Sequence, residues 1–226
     1  MSHLHIPDGV LPAALWLPGL VTAVLLILVS ARSLRQESPQ QVAYQGALGA
    51  LVLAAMAVQV PLGPIEYHLS LVGPIGVLLG PASSFQVMFV ASAVLAFLGH
   101  GGLTVIGLNA LVLGAGSALA RPGYDMFRRR FSPVAAFAAA TAVAQAVCGL
   151  LWMGLMTVGL RAHAWSGRPD GGGGGRFGVL ALVGVPLWIL GVAAETTVAF
   201  GIARFLARVR PDLLPAAKDT RAAETA

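Results

Sequence analysis

Charge is what this sequence has least of. Lys and Arg number 14 and Asp and Glu 9, or 10% of 226 residues, where a soluble domain carries about 25%. Hydrophobic residues make up 57%, and the mean hydropathy is +0.82. That apolar content exceeds what one water-soluble core can bury. The single cysteine, Cys148, lies inside an apolar run. It excludes an internal disulfide and a thiolate-rich metal centre, and reads as a small core residue. No GxxxxGKS or GxxxxGKT phosphate loop occurs, and the glycines at 171–175 are followed by Arg176 without a Lys-Ser or Lys-Thr pair. The chain therefore has no ATPase motif of its own. HExxH is also missing, and no carboxylate stands beside a histidine pair except Glu66 near His68. That weighs against an intramembrane metalloenzyme. The net charge of +5 is carried by residues that flank apolar runs, which points to membrane topology and away from nucleic acid.

What is present is a series of long apolar runs. A crossing helix needs about 20 residues to cover roughly 30 Å of hydrocarbon, and residues 11–31, 43–62, 82–99, 103–120, 133–160 and 178–206 are such runs. A seventh, 69–80, is short and holds Gly73, Pro74 and Gly76, so it reads as a broken span or a re-entrant segment packed against its neighbours. Counting it predicts an all-α, polytopic membrane bundle of about seven helices. Basic residues collect in cytoplasmic loops, and seven spans with the amino terminus outside satisfy that rule. The cytoplasmic side then holds Arg32, Arg35, Arg121, Arg128, Arg129, Arg130, Arg204, Arg208, Arg210, Lys218 and Arg221, leaving Arg161, Arg168 and Arg176 outside. Six spans would nearly erase the asymmetry.

Residues 1–210 read as one transmembrane domain and 211–226 as a disordered cytoplasmic tail. No basic residue precedes the first apolar run, so no cleavable signal peptide is expected and the amino terminus is kept. The glycines at 171–175 read as a flexible spacer. Small residues at helical spacing, Gly46, Gly49 and Ala50, or Ala135, Ala139 and Ala142, suit close helix approach.

In this topology His3, His5, His68, His100 and His163 all fall outside or at the outer ends of spans. Imidazole ligates nickel, cobalt, copper and zinc near neutral pH. His163 reads as an interfacial residue in a loop. His5 is different, because Ile6, Pro7, Asp8 and Gly9 follow it. Pro7 fixes its own φ and restricts Ile6, Asp8 can cap a turn, and Gly9 permits positive φ. Glu195 stands inside the last run, which makes it a functional candidate by default. It either faces a polar cavity, pairs with a residue such as Gln145, couples protons, or packs as a protonated hydrogen-bond former. Asn109, Gln86 and Gln145 read as interhelical hydrogen-bond formers.

His5-Ile6-Pro7-Asp8-Gly9 ahead of a hydrophobic span, His68-Leu69 before an apolar run ending Leu78-Leu79-Gly80-Pro81, and Gly101-Gly102-Leu103-Thr104 with Gly107 and Asn109 occur in that order. Together they resemble the substrate-binding membrane subunit of cobalt and nickel energy-coupling-factor transporters. The motifs cover residues 1 to 120 and the span pattern covers the whole chain. The resemblance implies a seven-helix subunit in the cell inner membrane whose amino-terminal segment, here 1–10, folds back into the bundle from outside and chelates the transported divalent metal. In that family the terminal amine, the amide and imidazole of a second-position histidine, and a histidine after the second helix form a roughly square-planar nitrogen site.

By motif, His5 matches the first histidine and His68 the second. Three additional residues separate Met1 from the position next to His5, so the usual small chelate ring cannot form there. Removal of Met1 would leave an amine on Ser2 beside His3, recreating a second-position histidine upstream. The expected ligands are thus His3, His5 and His68, with His100 next and Glu66 as an orienting or ligating carboxylate. A planar nitrogen-rich site favours nickel or copper, and a tetrahedral histidine cluster zinc or cobalt. The resemblance implies no prosthetic group. It also implies a transmembrane coupling subunit, cytoplasmic ATPase subunits and a small accessory membrane protein as partners. The alternative is a stand-alone channel or secondary transporter for a divalent metal such as zinc, with Glu195 in the ion path.

Overall fold

A computed structural model describes residues 5–62, 65–165 and 173–216. Seven helices run through them: α1 Ala13–Ser33, α2 Pro39–Ala57, α3 Val72–Leu79, α4 Pro81–Phe97, α5 Ile106–Phe127, α6 Pro133–Trp165 and α7 Gly173–Val209. Proline sets several starts. Pro39, Pro81 and Pro133 occupy the first positions of α2, α4 and α6, where a missing N–H costs nothing and φ is already helical. Ser38 and Gln41 close a capping box on α2, and the Ser132 hydroxyl accepts from Ala135 N on α6 (3.3 Å).

The all-helical expectation holds, with one addition. The run at 43–62 is helical only to Ala57, and its end forms β1 Val60–Leu62, paired antiparallel with β2 Ile65–Tyr67. Pro61 explains the break, since it disfavours helix in the residue before it and cannot donate to a helical ladder. Among the described residues, three stretches are long and apolar enough to cross a membrane: Ala13–Ser33, Pro133–Gly159 and Leu182–Val209. α1 shows why. It buries only Gly19, Ala23 and Ser30, while Leu17, Val21, Leu25 and Val29 are exposed. A helix this apolar on its outward face suits lipid.

The short run at 69–80 forms a short helix enclosed by its neighbours. α3 has 8 residues, about 12 Å of helix, and cannot cross the hydrocarbon alone. Val72, Gly73, Pro74, Ile75, Gly76 and Val77 are all buried, and the main core is built around them with Phe137, Tyr124, Leu113 and Met88. Two glycines let α3 enter. A methyl added to Gly73 would lie 2.5 Å from Thr141 Cα of α6, and one added to Gly76 would collide with the Ser117 carbonyl of α5. Gly80, at φ 79°, then turns the chain into α4.

Two boundaries differ from expectation. α7 begins at Gly173, so Gly173 to Gly175 continue a helix; glycine in a helix costs about 1 kcal/mol relative to alanine but does not forbid it. Gly171 and Gly172 lie outside the described residues. The tail expected to be disordered from 211 starts with a 3-10 turn over Pro211–Leu213. Leu214 packs on the core and Tyr124 Oη donates to the Pro215 carbonyl (3.2 Å). Residues 217–226 lie outside the described residues.

Gly76→Ala should lower the thermal midpoint of the purified protein, by an amount equivalent to about 1–3 kcal/mol of overpacking. Gly46→Ala, where no heavy atom stands within 4 Å of the added carbon, should leave the midpoint within error.

Candidate metal centre

His5 and His68, 63 positions apart in the chain, meet inside the bundle. Their ring centroids are 5.2 Å apart and their planes tilted by 38°, and the two residues are 4% and 3% exposed.

His5 is brought there by the rest of its motif. Ile6 is fully buried with Leu11, Val105, Leu108 and Met156. Its N–H donates to Asn109 Oδ1 (2.8 Å), and its carbonyl accepts from Asn109 Nδ2 (3.2 Å) and Gly102 N (3.1 Å). Asp8 docks on the loop between α4 and α5, accepting from Leu103 N and Thr104 N (2.9 Å each) and from the Thr104 hydroxyl. Gly9 sits at φ 79°, as the turn requires. Gly102 must be glycine for a different reason: an added carbon would lie 2.5 Å from Asp8 N. The two motifs at the amino terminus and at 101–109 are therefore the two halves of one interface.

His68 is placed from the other side. It follows β2 and precedes α3. Both its ring nitrogens are buried without a hydrogen-bond partner among the described residues. Burial, reinforced by the nearby His100, holds His68 down to about 4, so it is a neutral imidazole with a lone pair to offer a metal. His100 is half-buried, and its Nδ1 also lacks a hydrogen-bond partner among the described residues. Buried imidazole nitrogens without such partners are candidate ligands, since a buried polar atom is ordinarily paired.

The other candidates divide. His3 lies outside the described residues. Glu66 lies in β2 opposite Pro61, and His163 in the last turns of α6. Among the described residues no group of three His, Cys, Asp or Glu side chains is arranged to hold a metal ion. Glu195 is fully buried and accepts from the N–H and hydroxyl of Ser70 and from Leu71 N (3.2 Å). Gln145 Nε2 donates to the same hydroxyl. Two of the expected interhelical amides serve as such: Gln86 accepts from Gln45 Nε2 of α2 (2.9 Å), and Gln145 of α6 hydrogen-bonds Glu195 of α7. Asn109 binds the amino-terminal segment and Gln145 binds Ser70. Sequence reasoning missed Ser70 and the clamping roles of Thr104 and Asn109. The one available signal was that Thr104 and Asn109 belong to the segment paired by resemblance with the His5 motif.

Residues 5–213 match the family described as the cobalt uptake substrate-specific transmembrane region. The chain belongs to this family. A cobalt transport protein CbiM of Geobacter sulfurreducens is 29% identical over 170 residues, 70% of this chain and 46% of its own length. A putative fused cobalt transport protein CbiMQ of Methanocorpusculum labreanum is 28% identical over 225 residues, 93% of this chain and 36% of its own. The chain thus spans half or less of the length of these curated relatives. In fold it is similar to a solved transition metal transporter, with a TM-score of 0.75 at 17% identity over 91% of this chain and 93% of the other. A truncated transition metal transporter superposes with the same score over 90% of this chain and 98% of the other.

Removing Asn109 takes the partner from the Ile6 N–H and leaves the Ile6 carbonyl with Gly102 N alone. Asn109→Ala should weaken docking of the amino-terminal segment by about 1–3 kcal/mol, read as faster amide hydrogen exchange at Ile6 and Gly102. Asp8 adds a pH dependence. The Thr104 hydroxyl holds its carboxyl below the usual carboxylate range against the opposing effect of desolvation, and the amides of Thr104 and Leu103 add to the lowering. The folded value lies below the unfolded one, so the contribution is full above the ordinary carboxylate value of about 3.9 and is lost as pH falls through the lower folded value. Exchange at Leu103 and Thr104 should accelerate below about pH 4, and Asp8→Asn should abolish that acceleration.

Proposed function

We propose that this chain is the substrate-binding membrane component of an energy-coupling-factor transporter that imports cobalt or nickel. The observation that carries the reading is the buried His5–His68 pair, assembled by the docked amino-terminal segment and furnished with unpartnered nitrogens on His68. His3, two residues upstream of His5, and His100 complete the ligand set, with Glu66 able to orient His68. The metal is cargo, released after capture. All seven helices belong to the membrane domain, with the amino-terminal segment 1–10 at the outer face and residues 211–226 in the cytoplasm. The multi-pass chain sits in the cell inner membrane. The chain has no phosphate loop, so ATP hydrolysis falls to cytoplasmic partner subunits and coupling to a second membrane subunit, with a small accessory membrane protein alongside. A relative named as a putative fused cobalt transport protein supports such a partnership.

A stand-alone channel would need Glu195 in the ion path. Both oxygens of that carboxylate are occupied by Ser70 and Leu71, which argues against it.

The test is metal binding by the purified full chain, with nickel, cobalt, copper and zinc titrated in parallel. His5→Ala and His68→Ala should each weaken binding of one preferred metal by at least about 100-fold, since each removes a ligand whose outer-shell partners alone are worth 10–100-fold. Unchanged affinity in both variants, or metal uptake by vesicles containing this chain alone, would overturn the reading.

A further inference from the structure

The charge inside α7 is unexplained by helix packing. Glu195 is 0% exposed, and an aliphatic side chain would fill its volume without the cost of burying a carboxylate. What a carboxylate does there is accept hydrogen bonds: Oε1 takes the N–H and hydroxyl of Ser70, and Oε2 takes the N–H of Leu71 at 3.2 Å. Gln145 of α6 donates to the same hydroxyl, so α6 and α7 together grip residues 70 and 71. The gripped backbone is unusual. Leu71 has φ 53° and ψ 21°, a left-handed conformation that a non-glycine residue adopts only where its surroundings over-determine it. This kink separates α3 from the non-helical residues before it, and those residues carry His68.

We propose that Glu195 is a positioning residue for His68, acting through Ser70 and Leu71 to aim the imidazole at the metal. The proposal rests on the metal-binding reading of the His5–His68 pair. Glu195 touches no ligand nitrogen in this account. It fixes the backbone two and three residues beyond His68, as outer-shell hydrogen bonds fix ligands in other metal sites. Glutamine is a poor replacement, because its amide group would turn a donor toward one of the N–H groups that the carboxylate accepts. Ser70→Ala removes the hydroxyl shared by Glu195 and Gln145 while leaving both backbone N–H bonds, and so is the milder perturbation.

The experiment titrates nickel or cobalt chloride into the purified full chain in lipid nanodiscs. It compares wild type, Glu195→Gln, Ser70→Ala, His68→Ala and the double variant Glu195→Gln with His68→Ala. Affinity is read together with the visible absorption of the bound ion, which reports its ligand geometry. Glu195→Gln should weaken binding by about 10- to 100-fold and shift the absorption band, and it should add no loss once His68 is gone. Ser70→Ala should move both readouts in the same direction by less, and it carries the test if Glu195→Gln does not fold. A lowered thermal midpoint with unchanged affinity and spectrum would reduce Glu195 to a cap on α3 and overturn the proposal. So would a full extra loss in the double variant. If His68→Ala itself leaves affinity unchanged, the metal-binding reading falls first and this inference falls with it.

Discussion

Among the described residues, two irregular backbone segments inside this bundle are each held by a side chain from a helix distant in sequence. Backbone N–H and C=O groups in a nonpolar interior must find partners within the protein, since no bulk water reaches them. The chain enters the bundle twice in non-helical form, at residues 5–9 and 68–71. In both places one buried polar side chain satisfies the exposed backbone: Asn109 takes both groups of Ile6, and Glu195 takes the N–H groups of Ser70 and Leu71. The two imidazoles that meet in the core are the side chains next to these two anchored stretches. Satisfaction of the backbone thus comes first, and the geometry of the histidine pair follows from it.

The same requirement explains how an 8-residue helix can be the centre of the fold. α3 begins at the Glu195 carboxylate and ends where Arg121 Nη1 donates to the Val77 carbonyl (3.1 Å). An anion at the amino end and a cation at the carboxyl end complement the helix dipole and take up terminal groups that a short helix leaves unpaired. α5 and α7 therefore hold α3 by its two ends, while Gly73 and Gly76 let its flank press onto α6 and α5. The pair His5–His68 lies beyond the amino end of this rod, so a shift of α3 would reach His68 through residues 69–71.

Much of the fold was legible because it depends on local composition. Apolar runs broken by charge marked six of the helices, and the Gly-Pro step at 80 and 81 marked the turn from α3 into α4. The short run at 69–80 announced its irregularity through Gly73, Pro74 and Gly76. The hairpin from Val60 to Tyr67 was hidden, because Val58, Val60 and Leu62 extend an apolar run that looks helical until Pro61 is weighed against it. The site was legible in its residue types and not in its wiring. His5 and His68 stood out as ligand types next to rigid or glycine-containing segments. Nothing local to Glu195 names Ser70, 125 positions away, and nothing local to Asn109 names Ile6, 103 positions away. Such partners are set by which helices lie side by side, which hydropathy does not encode.

The two anchors belong to different parts of the bundle, and that separation has an energetic meaning. His5 is held through Asn109 of α5 and the loop after α4, with Asp8 adding a grip at the surface. His68 is held through Glu195 of α7 and Gln145 of α6. Bringing two buried imidazoles together costs conformational entropy, and both nitrogens of His68 stand without a hydrogen-bond partner among the described residues. Here that cost is met by folding, through clamps built from the chain's own groups. A metal arriving at the proposed site would find its ligands already paired, and little of its binding energy would be spent on ordering them.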